Sequence, residues 1–172
     1  MIALGDRSEF PDLVAEAYLN HAAISPPSSP VRAATQAVVD SYASAGAGAF
    51  GRWLEQRKTL RGQIAQLIGA AADDIAFVAN TTRGVTDVAL CLPWKRGDRV
   101  LLSRGELPAN VRPWQQAAAV HGLEIVWLEQ PTAASMDAWL AALSVELERG
   151  ARLLAVSAVQ FQTGLRMPLD VI

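Results

Sequence analysis

Apolar positions along the chain follow two rhythms, and stretches of the two alternate. Residues 28–45 open with Ser28, Ser29 and Pro30, which favour a helix start, and Val31, Ala34, Val38 and Tyr42 follow at helical spacing. Small, flexible residues over 43–51 interrupt that pattern. A second helix is expected next, with Trp53, Leu60, Ile64, Leu67 and Ile68 on one face. Glu55, Arg57, Lys58 and Arg61 lie mostly off that face, and Gly69 is placed to end the helix. The short apolar run 75–79 reads as a buried strand. It meets Asn80-Thr81-Thr82 and a helical stretch with Val85, Val88 and Ala89 inward, which Pro93 ends. Further strands are expected at 99–102, 124–128 and 152–157. Helices are expected at 111–121, with Pro113 in the first turn, and at 135–148, capped by Ser135. Pro168 sits where another helix would start.

Strands separated by helices of this length imply βαβ units with right-handed crossovers. The strands are nearly continuously apolar, as in parallel sheets covered on both faces. The expected fold class is therefore α/β, a three-layer arrangement around a mostly parallel sheet. Residues 1–45 read as an arm and helix laid on a domain formed by 46–172.

Composition narrows the function classes. The chain has 172 residues, 51% hydrophobic and 19% charged, which suits one globular domain. Its net charge of −2, with no basic stripe, gives no nucleic-acid footprint. No apolar run reaches the roughly 18 residues of a membrane span. The amino-terminal run shows no charged leader before an apolar stretch, so no secretory signal is expected and the localisation is expected to be cytoplasmic. The single Cys91 permits neither an internal disulfide nor a cysteine-only metal site, and its place within a helix suggests a core residue. No metal ligands are assigned.

In parallel α/β sheets, ligands sit beyond the carboxyl ends of the strands. After the run 75–79 come Asn80, Thr81, Thr82, Arg83 and Gly84, where two hydroxyls and free backbone N–H groups converge at a helix N-terminus. That is an anion site well suited to phosphate. Equally, Thr81 or Thr82 can serve simply as a helix cap. No glycine-rich dinucleotide or nucleoside-triphosphate loop is present, so a nucleotide is not the natural ligand.

Four segments, in this order and spacing, resemble one family. They are Tyr18-Leu19-Asn20-His21-Ala22-Ala23-Ile24-Ser25-Pro26, Asn80-Thr81-Thr82-Arg83-Gly84, Glu106-Leu107-Pro108-Ala109-Asn110-Val111-Arg112-Pro113-Trp114 and Val156-Ser157-Ala158-Val159-Gln160-Phe161-Gln162-Thr163-Gly164. The combination is similar to class V aminotransferases, pyridoxal-phosphate enzymes that include cysteine desulfurases and isopenicillin N epimerase-like proteins. The resemblance implies part of the large domain of a fold-type I transferase, with pyridoxal 5'-phosphate as cofactor and an amino acid as substrate. It implies that Thr81, Thr82 and Arg83 hold the cofactor phosphate. Leu107 matches the position that covers one face of the pyridine ring, where the family usually places His, Phe or Tyr. Leucine covers a ring by dispersion but cannot stack as an aromatic does. Asn110 belongs to the same loop. Gln160 and Gln162 belong to the segment that approaches the ring oxygen and the imine, and either could be the inward one. Asn20 and His21 match an arm on the substrate side.

The same resemblance implies a Schiff-base lysine and an acidic partner for the pyridine nitrogen, both downstream of the Gln-x-x-Thr-Gly-type segment. The two lysines present, Lys58 and Lys95, read as ordinary solvated groups, so no catalytic residue is assigned. The chain is expected to carry the N-terminal portion of such an enzyme, inactive alone. Its expected partner is a second copy in a homodimer or a complementary C-terminal half. The alternative is a non-catalytic binding or interaction fragment.

Overall fold

The computed structural model describes residues 7–172; residues 1–6, which hold most of the run read above as no secretory signal, lie outside the described residues. The chain forms two compact units, Met1–Ala76 and Phe77–Ile172. Among the described residues, no helix is long and apolar enough to cross a membrane.

The first unit is built on two helices, α1 (Ser29–Ala45) and α2 (Phe50–Ile68), joined by a tight 3-10 turn over Gly46–Ala49. The turn falls in the small-residue stretch that the sequence marked as a break. Gly69 ends α2 in the left-handed conformation, at φ +70°. The apolar stripes are regular, yet most of their large side chains are exposed, including Val31, Tyr42, Leu60, Leu67 and Ile68.

The second unit is a three-layer α/β/α arrangement. Its strands are β1 (Arg99–Ser103), β2 (Glu124–Leu128) and β3 (Leu153–Ala155), all parallel and ordered β2-β1-β3. Helices α3 (Thr81–Cys91) and α4 (Arg112–His121) lie on one face, where Ala89, Trp114 and Ala117 pack on Val100 and Leu102. Helix α5 (Met136–Glu148) lies on the other, where Trp139, Leu143 and Met167 pack on Leu101 and Leu128. Successive residues of β1 thus serve opposite cores, as the two-residue period of a strand requires. Its residues 100–103 are fully buried, which explains why this strand reads as continuously apolar.

Several local expectations are corrected. The run 75–79 enters no ladder among the described residues, although Ile75 is extended at φ −98°, ψ 118°. Apolar, β-favouring residues specify extended backbone, but a strand also needs a partner, and 75–79 pairs with neither of the outer edges that β2 and β3 leave open. Val88 and Cys91 are exposed. The inward stripe of α3 runs Val85, Ala89, Leu92, so positions 88 and 91 fall together on the adjacent face. Ser135 does not cap α5 with its side chain. Instead, Thr132 Oγ1 accepts from Ser135 N at 3.1 Å and Ser135 Oγ accepts from Thr132 N at 3.0 Å, closing a 3-10 turn ahead of the helix. Pro168 precedes a turn in which its carbonyl accepts from Val171 N at 3.0 Å and Ile172 N at 3.3 Å.

Candidate functional site

The loops after β1 and β3 meet on one carboxylate. Gly105, at φ +79°, turns the chain as it leaves β1, which presents Glu106 inward. Glu106 is 7% exposed. Its Oε1 accepts from the Ser157 backbone N–H at 2.9 Å and from Gln160 Nε2 at 2.8 Å. Its Oε2 accepts from Ser157 Oγ at 2.5 Å and from Asn110 Nδ2 at 3.3 Å. Burial alone would push this carboxyl up. The Ser157 hydroxyl and backbone N–H, Gln160 and Asn110 outweigh that effect and hold it below the usual carboxylate range.

The segment after β3 turns back as a tight hairpin. Gly164, at φ +69°, donates its N–H to Gln160 O at 2.8 Å, Gln160 N donates to Leu165 O at 2.9 Å, and Val159 bridges Arg166. This geometry separates the two glutamines. Gln160 is 1% exposed and bound to Glu106, whereas Gln162 is exposed. The buried Gln160 Oε1 has no hydrogen-bond partner among the described residues. Leu107, 41% exposed, precedes the 3-10 turn Pro108–Asn110, and its carbonyl accepts from Asn110 N at 2.8 Å. Asn110 Oδ1 in turn accepts from Trp114 Nε1 at 3.4 Å, tying that turn to α4.

The N-terminus of α3 is capped by Asn80, whose Oδ1 accepts from Arg83 N at 2.9 Å. Neither threonine is the cap. Thr82 faces a cleft of about 370 Å³ shared with Thr86, Arg112 and Gln115. Arg112 and Gln115 also line a neighbouring cleft of about 300 Å³ that reaches Ser103 and Glu106. The first turn of α4 therefore forms the wall between the Thr82 cleft and the Glu106 cleft. The Arg83 guanidinium is occupied by Asp87, with Nε 2.8 Å from Oδ1.

The remaining candidates belong to other elements. Asn20 and His21 belong to the first unit. Asn20 O accepts from Ala23 N and Ile24 N in a turn, while His21 Nδ1 is 3.0 Å from Ser25 Oγ and its ring meets Tyr18 edge-on. Lys58 is exposed on α2, and Lys95 is exposed in the turn before β1, at the amino end of the strand. Sequence reasoning assigned no role to Glu106 or Ser157. A lone carboxylate between Gly105 and Leu107-Pro108, directly after an apolar strand, was the available signal.

The aminotransferase class-V family profile matches residues 17–172. This chain belongs to the aminotransferase class-V family. Among curated relatives, it is 33% identical to a probable cysteine desulfurase of Pyrococcus abyssi over 116 residues, covering 66% of this chain and 27% of that protein. It is 34% identical to the cysteine desulfurase of Pectobacterium atrosepticum, covering 65% and 28%. The chain thus spans less than a third of these relatives. Among solved structures, a C-DES mutant with glycine covalently linked to the PLP cofactor superposes with a TM-score of 0.84 at 25% identity, covering 97% of this chain and 44% of that one. The cystine C–S lyase C-DES in complex with its reaction product cysteine persulfide gives 0.71 at 25% identity, covering 82% and 38%. The class V, cysteine desulfurase-like chain therefore has the α/β fold of part of a fold-type I PLP enzyme.

The residues present suit pyridoxal phosphate. A dianionic phosphate needs hydroxyl and N–H donors, and the first turn of α3 offers Thr81, Thr82 and their backbone N–H groups, beside a cleft with Arg112 on its wall. A pyridine ring needs an apolar cover, and Leu107 presents an exposed aliphatic face.

Proposed function

We propose that this class V aminotransferase chain supplies the phosphate cup and one wall of the cofactor pocket in a PLP-dependent enzyme that acts on a sulfur-containing amino acid. The observation that carries this reading is the first turn of α3. There Asn80 takes over the capping role and leaves the Thr81 and Thr82 donors for a ligand. The substrate class follows from the relatives, which are named as cysteine desulfurases and a cystine C–S lyase.

Pyridoxal phosphate supplies an electron sink that stabilises negative charge beside the substrate nitrogen. The Thr82 hydroxyl and the adjacent N–H groups bind the phosphate, aided by the positive end of α3, which adds about 0.3–1 kcal/mol when exposed. Leu107 shields one side of the pocket from water. The Schiff-base lysine belongs, by the resemblance, to sequence that Lys58 and Lys95 do not provide.

The phosphate requirement gives the test. The protein should bind pyridoxal 5'-phosphate at least about tenfold more tightly than pyridoxal in equilibrium dialysis, because hydrogen bonds to a charged group contribute about 1.5–3 kcal/mol. Equal binding of the two would overturn the reading.

A further inference from the structure

We propose that Glu106 is a positioning residue for the ring side of the pocket, fixing the wall at Leu107 against the hairpin that carries Gln160. The proposal rests on the cofactor reading above.

Buried carboxylates are rare unless something compensates the charge. Among the described residues, no ion pair to this carboxylate is formed. Arg104 is 3.3 Å from Glu129, and Arg112 Nη1 is 3.4 Å from Gln115 Oε1. The compensation comes from neutral donors with fixed directions: a backbone N–H, a hydroxyl and two amides. Filling the same space with a hydrocarbon would avoid the desolvation cost of a charge. What the carboxylate adds is direction, since both oxygens are engaged and each donor must hold its angle.

The donors also come from separate parts of the chain. Asn110 is four residues away, whereas Ser157 and Gln160 are 51 and 54 residues away. Glu106 therefore joins the loop after β1 to the hairpin after β3. Leu107 is the next residue and is substantially exposed, so its own packing holds it little. Its place is set by the anchored Glu106 on one side and the Pro108–Asn110 turn on the other. Gln160 is held the same way, through its amide.

Positioning and simple structural support separate when two probes are compared by equilibrium dialysis on the complete protein. Pyridoxal phosphate needs both the cup and the wall; inorganic phosphate needs only the cup. Glu106→Gln should weaken pyridoxal phosphate about tenfold. It should leave inorganic phosphate binding and the circular dichroism spectrum unchanged. Ser157→Ala, which removes one donor and keeps the carboxylate, should give a smaller loss in the same sense, and it serves as the test if the first variant does not fold. Thr82→Val should weaken both probes. Unchanged pyridoxal phosphate binding in Glu106→Gln and Ser157→Ala, with Thr82→Val weakened, would overturn the role of Glu106 alone. Equal loss of both probes in Glu106→Gln would make the residue merely structural and also overturn it. A Thr82→Val variant that binds both probes normally would overturn the cofactor reading itself.

Discussion

Ser157 donates twice to Glu106, through its backbone N–H at 2.9 Å and its hydroxyl at 2.5 Å. The two residues follow adjacent parallel strands, β1 and β3, so the contact continues beyond the point where the ladder ends. One charged side chain thereby does the work of a further rung. It joins the loop of Leu107 and Asn110 to the hairpin of Gln160.

That arrangement makes stability depend on pH. The folded carboxyl of Glu106 ionises below the ordinary value of 4.5. Its contribution is therefore fully present above the ordinary value and is lost as pH falls through the folded one. Glu146, held down by its hydrogen bond from Arg99, acts in the same direction. The urea unfolding free energy should fall as pH is taken from about 5 towards 3. Glu106→Gln should remove part of that fall and leave the Glu146 part. An identical slope in the variant would contradict the network.

Gly105 should not accept a side chain. Its φ of +79° is disfavoured for L-residues, and an added Cβ would lie 2.5 Å from the Gln130 side chain. Gln130 can swing away, so the backbone dominates the cost. Gly105→Ala should destabilise the protein by about 1–2 kcal/mol in urea unfolding. A change indistinguishable from zero would mean that the turn into Glu106 has another conformation.

Leu107 offers a gain-of-affinity test of the wall. Leu107→Phe adds an aromatic face where the leucine gives only aliphatic contact. Pyridoxal phosphate should bind about twofold to tenfold more tightly, matching the roughly 0.5–1.5 kcal/mol of an aromatic pair. Unaltered or weaker binding would remove Leu107 from the ring's side of the pocket.

Much of the second unit was legible in the sequence because its patterns are local. β1 reads as apolar because both faces are covered, and Pro113 marks the first turn of α4 because it lacks the N–H that the turn does not need. The run 75–79 is extended but unpaired because an extended tendency is local, whereas strand pairing depends on what the fold brings alongside. Val88 and Cys91 were misplaced for a related reason. Helical spacing groups residues by face but does not say which face meets the sheet. In the site, Thr81 and Thr82 were visible as donors at a helix start, yet the cap fell to Asn80, one residue earlier. Glu106 gave no periodic signal. Its role depends on Ser157 and Gln160, which only the fold brings to it.

On the proposed reading, the first turn of α3 holds the phosphate of a pyridoxal cofactor. Thr82→Val keeps the shape and removes the hydroxyl, so it tests that claim most directly. Equilibrium dialysis should show pyridoxal 5'-phosphate binding weakened at least about tenfold, the loss of a hydrogen bond of about 1.5–3 kcal/mol to a charged group. Affinity equal to that of the unaltered protein would contradict the account.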